Sequence, residues 1–265
     1  VTGPGPELGK AALPVRPDAM AELTARIEPF DSFWEGPEDV EKGYRTVYAF
    51  YRHNYLKHVP EDRDTPILVV SCGPGYFVDM LVRHGYRNVT GIDSDDAKAE
   101  HGRRRGLDCR CERAFPFLAA RREAFGAIFC EQELNHLTKD EILAFLGLCR
   151  DSLKPGGTLI VHALNGANPI TGAEALAQNF DHYNTFTEYT LRQVLEYAEF
   201  SQVRVIPLHL YVFYRNPFNW VAWAASALLS AFFRAAFVLY GKSNRIFTKK
   251  IAAACRKGRE TGGSA

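Results

Sequence analysis

Gly73-x-Gly75 and Asp93 are the residues whose types and spacing point most directly to chemistry. An apolar run, Ile67-Leu68-Val69-Val70, breaks into Ser71-Cys72-Gly73-Pro74-Gly75 and then into a segment of helical spacing with Phe77, Met80 and Leu81. Glycines at such a turn let the backbone approach a ligand closely. A second strand-like run, Asn88 to Ile92, ends on Asp93, where a carboxylate can accept hydrogen bonds from ribose hydroxyls. Together they describe a nucleoside-cofactor site. Val78 stands where a dinucleotide fingerprint needs its third glycine, which weakens a nicotinamide or flavin reading. Two histidines, His136 and His182, lie beyond later strand-like runs, and an imidazole titrates near neutrality and can act as a general base.

The elements that must position these groups follow from hydrophobic periodicity. Strand-like runs recur at 67–71, 88–92, 107–111, 127–130 and 158–161, separated by helical segments at 76–84, 97–105, 139–152 and 187–197. Strands alternating with helices predict an α/β fold with a parallel sheet covered on both faces. Ligands of such sheets bind at the carboxyl ends of the strands, where Ser71–Gly75, Asp93 and Glu131 fall. Helical spacing also runs from Ala19 to His58, while a long strand-like run covers 202–214.

The full chain has 265 residues, 46% apolar side chains and a formal net charge of +1. That is enough for one core with extensions, and a near-neutral balance argues against nucleic acid as a partner. The six cysteines form no zinc-type pair of Cys-x-x-Cys units, and no His, Cys, Asp and Glu groups show the local spacing of a metal site, so no metal is expected. Residues 1–18 are rich in Gly and Pro without an apolar segment of signal-peptide type, and with the reduced cysteines this predicts a cytoplasmic protein.

As an ordered set, the blocks resemble class I S-adenosylmethionine-dependent methyltransferases over roughly residues 38–257. Val69–Gly75 is similar to the first motif of that family, Val89–Asp93 to the second and Ala127–Leu137 to the fourth; Leu153-Lys154-Pro155-Gly156-Gly157 is similar to the turn before its fifth strand. More narrowly, Phe33-Trp34-Glu35-Gly36, Asn135-His136-Leu137 and His182-Tyr183-Asn184-x-Phe186-Thr187 resemble bacterial methyltransferases of capsule, lipopolysaccharide or other surface glycans. The resemblance implies a Rossmann-like, mostly parallel seven-stranded sheet. It divides the chain into a tail (1–18), an N-terminal helical cap (19–60), a cofactor-binding core (61–215), an apolar helical insertion (216–245) and a terminal strand with tail (246–265). It also implies S-adenosyl-L-methionine held by Tyr44, Ser71, Cys72, Gly73, Gly75, Tyr76, Asp93, Ser94, Glu112 and Glu131, with Glu112 in the place of the acid that meets the adenine amino group. Tyr44 either closes over the cofactor or only packs. Three positions depart from the family: Val69 where an acid usually stands, Ser71 where a glycine does, and Gly126 where an aspartate opens the fourth strand.

Methyl transfer from a sulfonium needs alignment and, for a hydroxyl acceptor, removal of a proton. His182 and His136 are the candidates for that base, each with a structural alternative; the other histidines have no neighbours in sequence that single them out. The reading is transfer to a hydroxyl of a small molecule or a glycan-linked acceptor. N- or C-methylation of a metabolite, or a catalytically silent scaffold, are the alternatives. The stretch Phe218–Tyr240 is long enough to span a bilayer, but Arg234 interrupts it and Ile251–Lys257 reads as a strand returning to the sheet, with a short basic helix as the alternative. Segment 216–245 is therefore expected to pack on its own domain or a second subunit, or to lie peripherally on the cytoplasmic membrane face.

Overall fold

The computed structural model describes residues 37–131, 133–177, 180, 182–210 and 216–258. The expected tail, the first half of the helical cap with Phe33-Trp34-Glu35-Gly36, and the residues after 258 lie outside this set. In chain order the elements are α1 (Pro37–Tyr55), β1 (Ile67–Val70), α2 (Tyr76–Arg83), β2 (Val89–Asp93), α3 (Asp96–Arg104), β3 (Cys109–Cys111), α4 (Ala114–Ala119) and β4 (Phe125–Glu131). There follow α5 (Lys139–Ser152), β5 (Leu153–Leu164), α6 (Gly172–Ala177), α7 (Glu188–Tyr197), β6 (Phe200–Pro207), α8 (Pro217–Leu239) and β7 (Lys250–Lys257).

The seven strands form one sheet in the order β3-β2-β1-β4-β5-β7-β6, parallel from β3 to β5. All four residues of β1 are buried, as expected for a strand covered on both faces. One face carries α1, α2 and α3 through Tyr51, Tyr55, Phe77, Val69 and Phe129, and Phe77 stacks on Phe129 with centroids 3.9 Å apart. The other face carries α4, α5 and α7 through Phe115, Phe145, Leu191 and Leu195. Capping boxes at Thr138–Glu141 and Thr187–Thr190 satisfy the first turns of α5 and α7 and fix where each helix starts.

β7 runs antiparallel between β5 and β6, from Leu164↔Lys250 to Thr158↔Arg256 on one side. The terminal segment is thus a strand. The expected strand 202–214 is shorter: β6 spans Phe200–Pro207, and residues 211–215 lie outside the described set. The strand at 107–111 also shortens, to Cys109–Cys111, and the helices α4 and α6, of six residues each, escaped the periodicity because neither completes two turns.

Candidate active site

The strand order reverses between β1 and β4, and the candidate residues gather at the carboxyl edge of that crevice. After β1 the chain turns through Ser71 (φ 53°), Gly73 (φ 52°) and Gly75 (φ 85°), all left-handed, and Gly75 caps α2. A Cβ on Gly75 would lie 2.8 Å from Cys109 Sγ, so the second glycine is required by close packing as well as by its backbone. A Cβ on Gly73 would meet nothing within 4 Å, which leaves the loop crest open for a ligand.

Asp93 ties this loop to the next strand end. Gly73 N–H donates to its Oδ2 at 2.8 Å and Asp95 N–H to its Oδ1 at 3.0 Å. Each oxygen keeps a second lone pair, so the carboxylate can still accept two ligand hydroxyls. Burial pushes the Asp93 carboxyl up, against the pull of those two amides. Ser94 and Glu112 lie exposed beside it, and the backbone N–H of Glu112 bonds to Asp93 O at 2.8 Å. An open glycine crest, a carboxylate with spare acceptors and a flanking acid fit the adenosyl half of S-adenosylmethionine.

The departures from the family pattern have physical reasons. Val69 is buried in the apolar layer under α1, where an acid would be desolvated without a partner. Ser71 accepts the left-handed conformation that favours glycine, at a cost of roughly 1–2 kcal/mol, and its hydroxyl donates to the Glu133 carboxylate. Burial raises the Glu133 carboxyl, the Ser71 bond opposes this, and the Asp93 charge adds to it. Glu133 and Asp93 are thus two carboxylates at the glycine loop whose charges repel. Gly126 has no room for a side chain, since its Cβ would sit 2.4 Å from Thr65 Cγ2.

Other candidates are engaged in packing and in hydrogen bonds within the protein. Tyr44 is 2% exposed, and its hydroxyl donates to Pro74 O. It braces the glycine loop from α1. Tyr76 meets it edge-on at 4.8 Å and crosses Gly43, where a Cβ would fall 2.3 Å from the Tyr76 hydroxyl. Cys72 is buried against Gly91 of β2, so its side chain supports the loop. Glu131 accepts from the Tyr51 hydroxyl and lies 3.3 Å from His162 Nδ1 of the neighbouring strand. Burial acts to raise the Glu131 carboxyl, but His162, Lys250 and Tyr51 outweigh it and hold the group below its ordinary value. This Tyr51–Glu131–His162–Lys250 cluster clamps α1 onto the sheet, and His162 has a partner that the sequence did not single out. Asn165 is structural too, holding Ile246 O at 3.0 Å and Thr248 O at 2.8 Å.

The two base candidates, 46 positions apart in sequence, come together: the rings of His136 and His182 meet edge to face at 4.8 Å. His182 is 8% exposed, and its Nδ1 donates to Ala175 O at 2.7 Å, so Nε2 is the ring nitrogen that can accept. Asn135 fastens the two segments, accepting at its carbonyl O from Tyr183 N–H at 2.8 Å and donating from its side chain to Asn184 O at 2.5 Å. An open cavity of about 830 Å³ lies at the amino edge of the sheet, among Lys57, Gly126, Lys154 and Arg256, away from all of these groups.

Residues 67–157 match a family described as a methyltransferase domain. A ubiquinone biosynthesis O-methyltransferase of Xylella fastidiosa is 30% identical over 146 residues, which cover 53% of this chain and 58% of that one. The chain thus spans less than two thirds of the length of this curated relative. Among solved structures, a SAM-dependent methyltransferase from Archaeoglobus fulgidus superposes with a TM-score of 0.61 at 15% identity, covering 84% of this chain and all of the other. Haemonchus contortus phosphoethanolamine N-methyltransferase 2, solved with S-adenosyl-L-methionine, gives 0.54 at 12% identity, covering 88% of this chain and 61% of that one. At such identities these structures bear on the fold alone.

Proposed function

We propose, from the premise that the core of this chain is a class I S-adenosylmethionine-dependent methyltransferase domain, that it methylates a hydroxyl of a small molecule, with His182 as the base. The observation that carries this reading is the His136–His182 contact at the carboxyl edge, with the His182 tautomer set by Ala175 O. When bound, S-adenosylmethionine supplies a methyl group on a sulfonium with a good leaving group. Asp93 would hold the ribose hydroxyls, the Gly73–Gly75 backbone would admit the methionine portion, and Glu112 would accept from the adenine amino group. Glu133 takes the place of the acid missing at Val69, because two carboxylates facing one space favour a cation, here the methionine ammonium. His182 Nε2 would take the proton of the acceptor hydroxyl, whose oxygen would gain the methyl as the methyl–sulfur bond breaks and S-adenosylhomocysteine leaves, and His136 would orient the His182 ring.

The curated relatives are named for ubiquinone biosynthesis, which supports a small-molecule acceptor and lends nothing to a glycan-linked one. The test is turnover of a hydroxyl acceptor by His182→Ala. It is expected to fall about 100- to 10,000-fold with S-adenosylhomocysteine affinity unchanged, and full activity would remove His182 from the reaction.

A further inference from the structure

α8 is apolar, long and turned inside out. It has 23 residues, an 18-residue window of which has a mean hydropathy of 1.7, and none is buried. Its less exposed positions recur every three or four residues and include its polar ones, Asn219, Ser226 and Ser230. The outward face carries Trp220, Trp223, Leu228, Phe232 and Leu239, exposed by 57, 46, 74, 64 and 86%. A soluble surface helix shows the reverse pattern, with its polar residues outward. The exposed apolar face also covers more of the circumference than one packed helix would bury.

Charge identifies what covers it. Between Glu199 and Glu260 the sequence contains no Asp or Glu and ten Lys or Arg, in a chain whose net charge is only +1. Lys242 and Arg245 are exposed just beyond the helix, and Arg234, the one charge within it, donates to Arg245 O at 2.9 Å.

Tethers decide the orientation. His209 N–H bonds to Asn54 Oδ1 of α1 at 2.9 Å, and eight residues from there to Pro217 reach at most about 28 Å. At the other end Phe237 packs on Phe247 at 4.7 Å, and Glu188 accepts from Arg245 and Ile246 N–H at 3.0 Å. Both ends are bound to one domain, so the helix cannot cross a hydrocarbon core about 30 Å thick.

We infer that α8 and its basic flank dock the protein on the surface of an anionic lipid bilayer, with the helix lying in the interface. This rests on exposure and charge, independently of the reaction proposed above. The excursion that carries α8 leaves and rejoins the sheet at the edge that holds Gly73, Asp93 and His136.

The experiment is co-sedimentation of the full chain with phosphatidylcholine vesicles and with vesicles that also contain phosphatidylglycerol. Binding to the anionic vesicles is expected, with a blue shift of tryptophan emission, and removal by alkaline carbonate. Lys242→Gln and Arg245→Gln should each weaken it about five-fold. Trp223→Glu/Leu228→Glu/Phe232→Glu should abolish it while S-adenosylhomocysteine binding, which reports the fold, stays intact. Three results would each overturn the inference: no wild-type binding, binding that resists carbonate extraction and so marks a span, or a dimer broken by the triple variant with no vesicle affinity.

Discussion

Replacing Asp93 by Asn separates two tasks that one carboxylate performs. Its oxygens hold the Gly73 and Asp95 amides at 2.8 and 3.0 Å, and their remaining lone pairs face the proposed ribose hydroxyls. An Asn keeps one oxygen and presents an NH2 group to one amide and one hydroxyl. For the ligand, one charge-assisted hydrogen bond is lost, about 1.5–3 kcal/mol, or roughly 10- to 150-fold in dissociation constant. For the empty protein, one loop amide loses its acceptor, a cost of about 1 kcal/mol. Asp93→Ala removes both acceptors and is expected to weaken binding further while destabilising the fold by no more than about twice as much. Calorimetric titration with S-adenosylhomocysteine measures the first quantity and denaturant unfolding of ligand-free protein the second. A dissociation constant for Asp93→Asn within two-fold of wild type, in a protein that unfolds normally, would refute the assignment of Asp93 to the ribose.

Glu133→Gln is expected to weaken S-adenosylhomocysteine binding by about 1.5–3 kcal/mol while leaving adenosine binding unchanged, since only the amino-acid portion meets that carboxylate. Tyr51→Phe and Tyr55→Phe form a contrasting pair. Tyr51 donates to a carboxylate, so its loss should cost about 1.5–3 kcal/mol in urea unfolding, whereas the Tyr55 hydroxyl is buried without a hydrogen-bond partner among the described residues and its removal should be neutral or stabilising. In the same clamp, burial and then Lys250 hold His162 below its ordinary value, and Glu131 is held low by its partners. The unfolded chain therefore binds more protons as pH falls. Stability should drop first below about pH 6.5, as His162 is forced to charge, and again below about pH 4.3 as the Glu131 contribution is lost. Glu131→Gln should remove the second fall, and an unchanged pH profile of the melting temperature would rule the clamp out. Gly43→Ala should lower the melting temperature, because its Cβ would collide with the half-buried Tyr76 ring, at a cost of about 1–3 kcal/mol.

The sheet was legible because its strands are short and covered on both faces, so β1 and β4 read as continuous apolar runs between turn residues. Asp93 was legible for the same reason, as the first acid after such a run. The clamp was not, since Tyr51, Glu131, His162 and Lys250 come from four distant segments and meet only when β4, β5 and β7 align beneath α1. Glu133 as a partner for Ser71 was hidden in the same way, although the left-handed turn that creates the need for it is local. For Tyr44 and Glu131 the neighbourhood was legible but not their partners Pro74, Tyr51 and His162, because proximity to a loop in sequence does not tell which distant groups a side chain meets.

The insertion of β7 between β5 and β6 sets an order on folding during synthesis. β6 finds its described pairing only in β7, whose first residue is made 43 positions after Pro207, and β5 lacks its outer neighbour until then. A ribosome that has released α7 and β6 therefore holds a five-stranded parallel sheet with an open edge and an unpaired strand beside it. The apolar α8 emerges in that interval, before the sheet can close. The nascent chain is most exposed to misassociation at that stage, and an early contact between α8 and a surface that accepts it would shelter the intermediate until the final strand arrives.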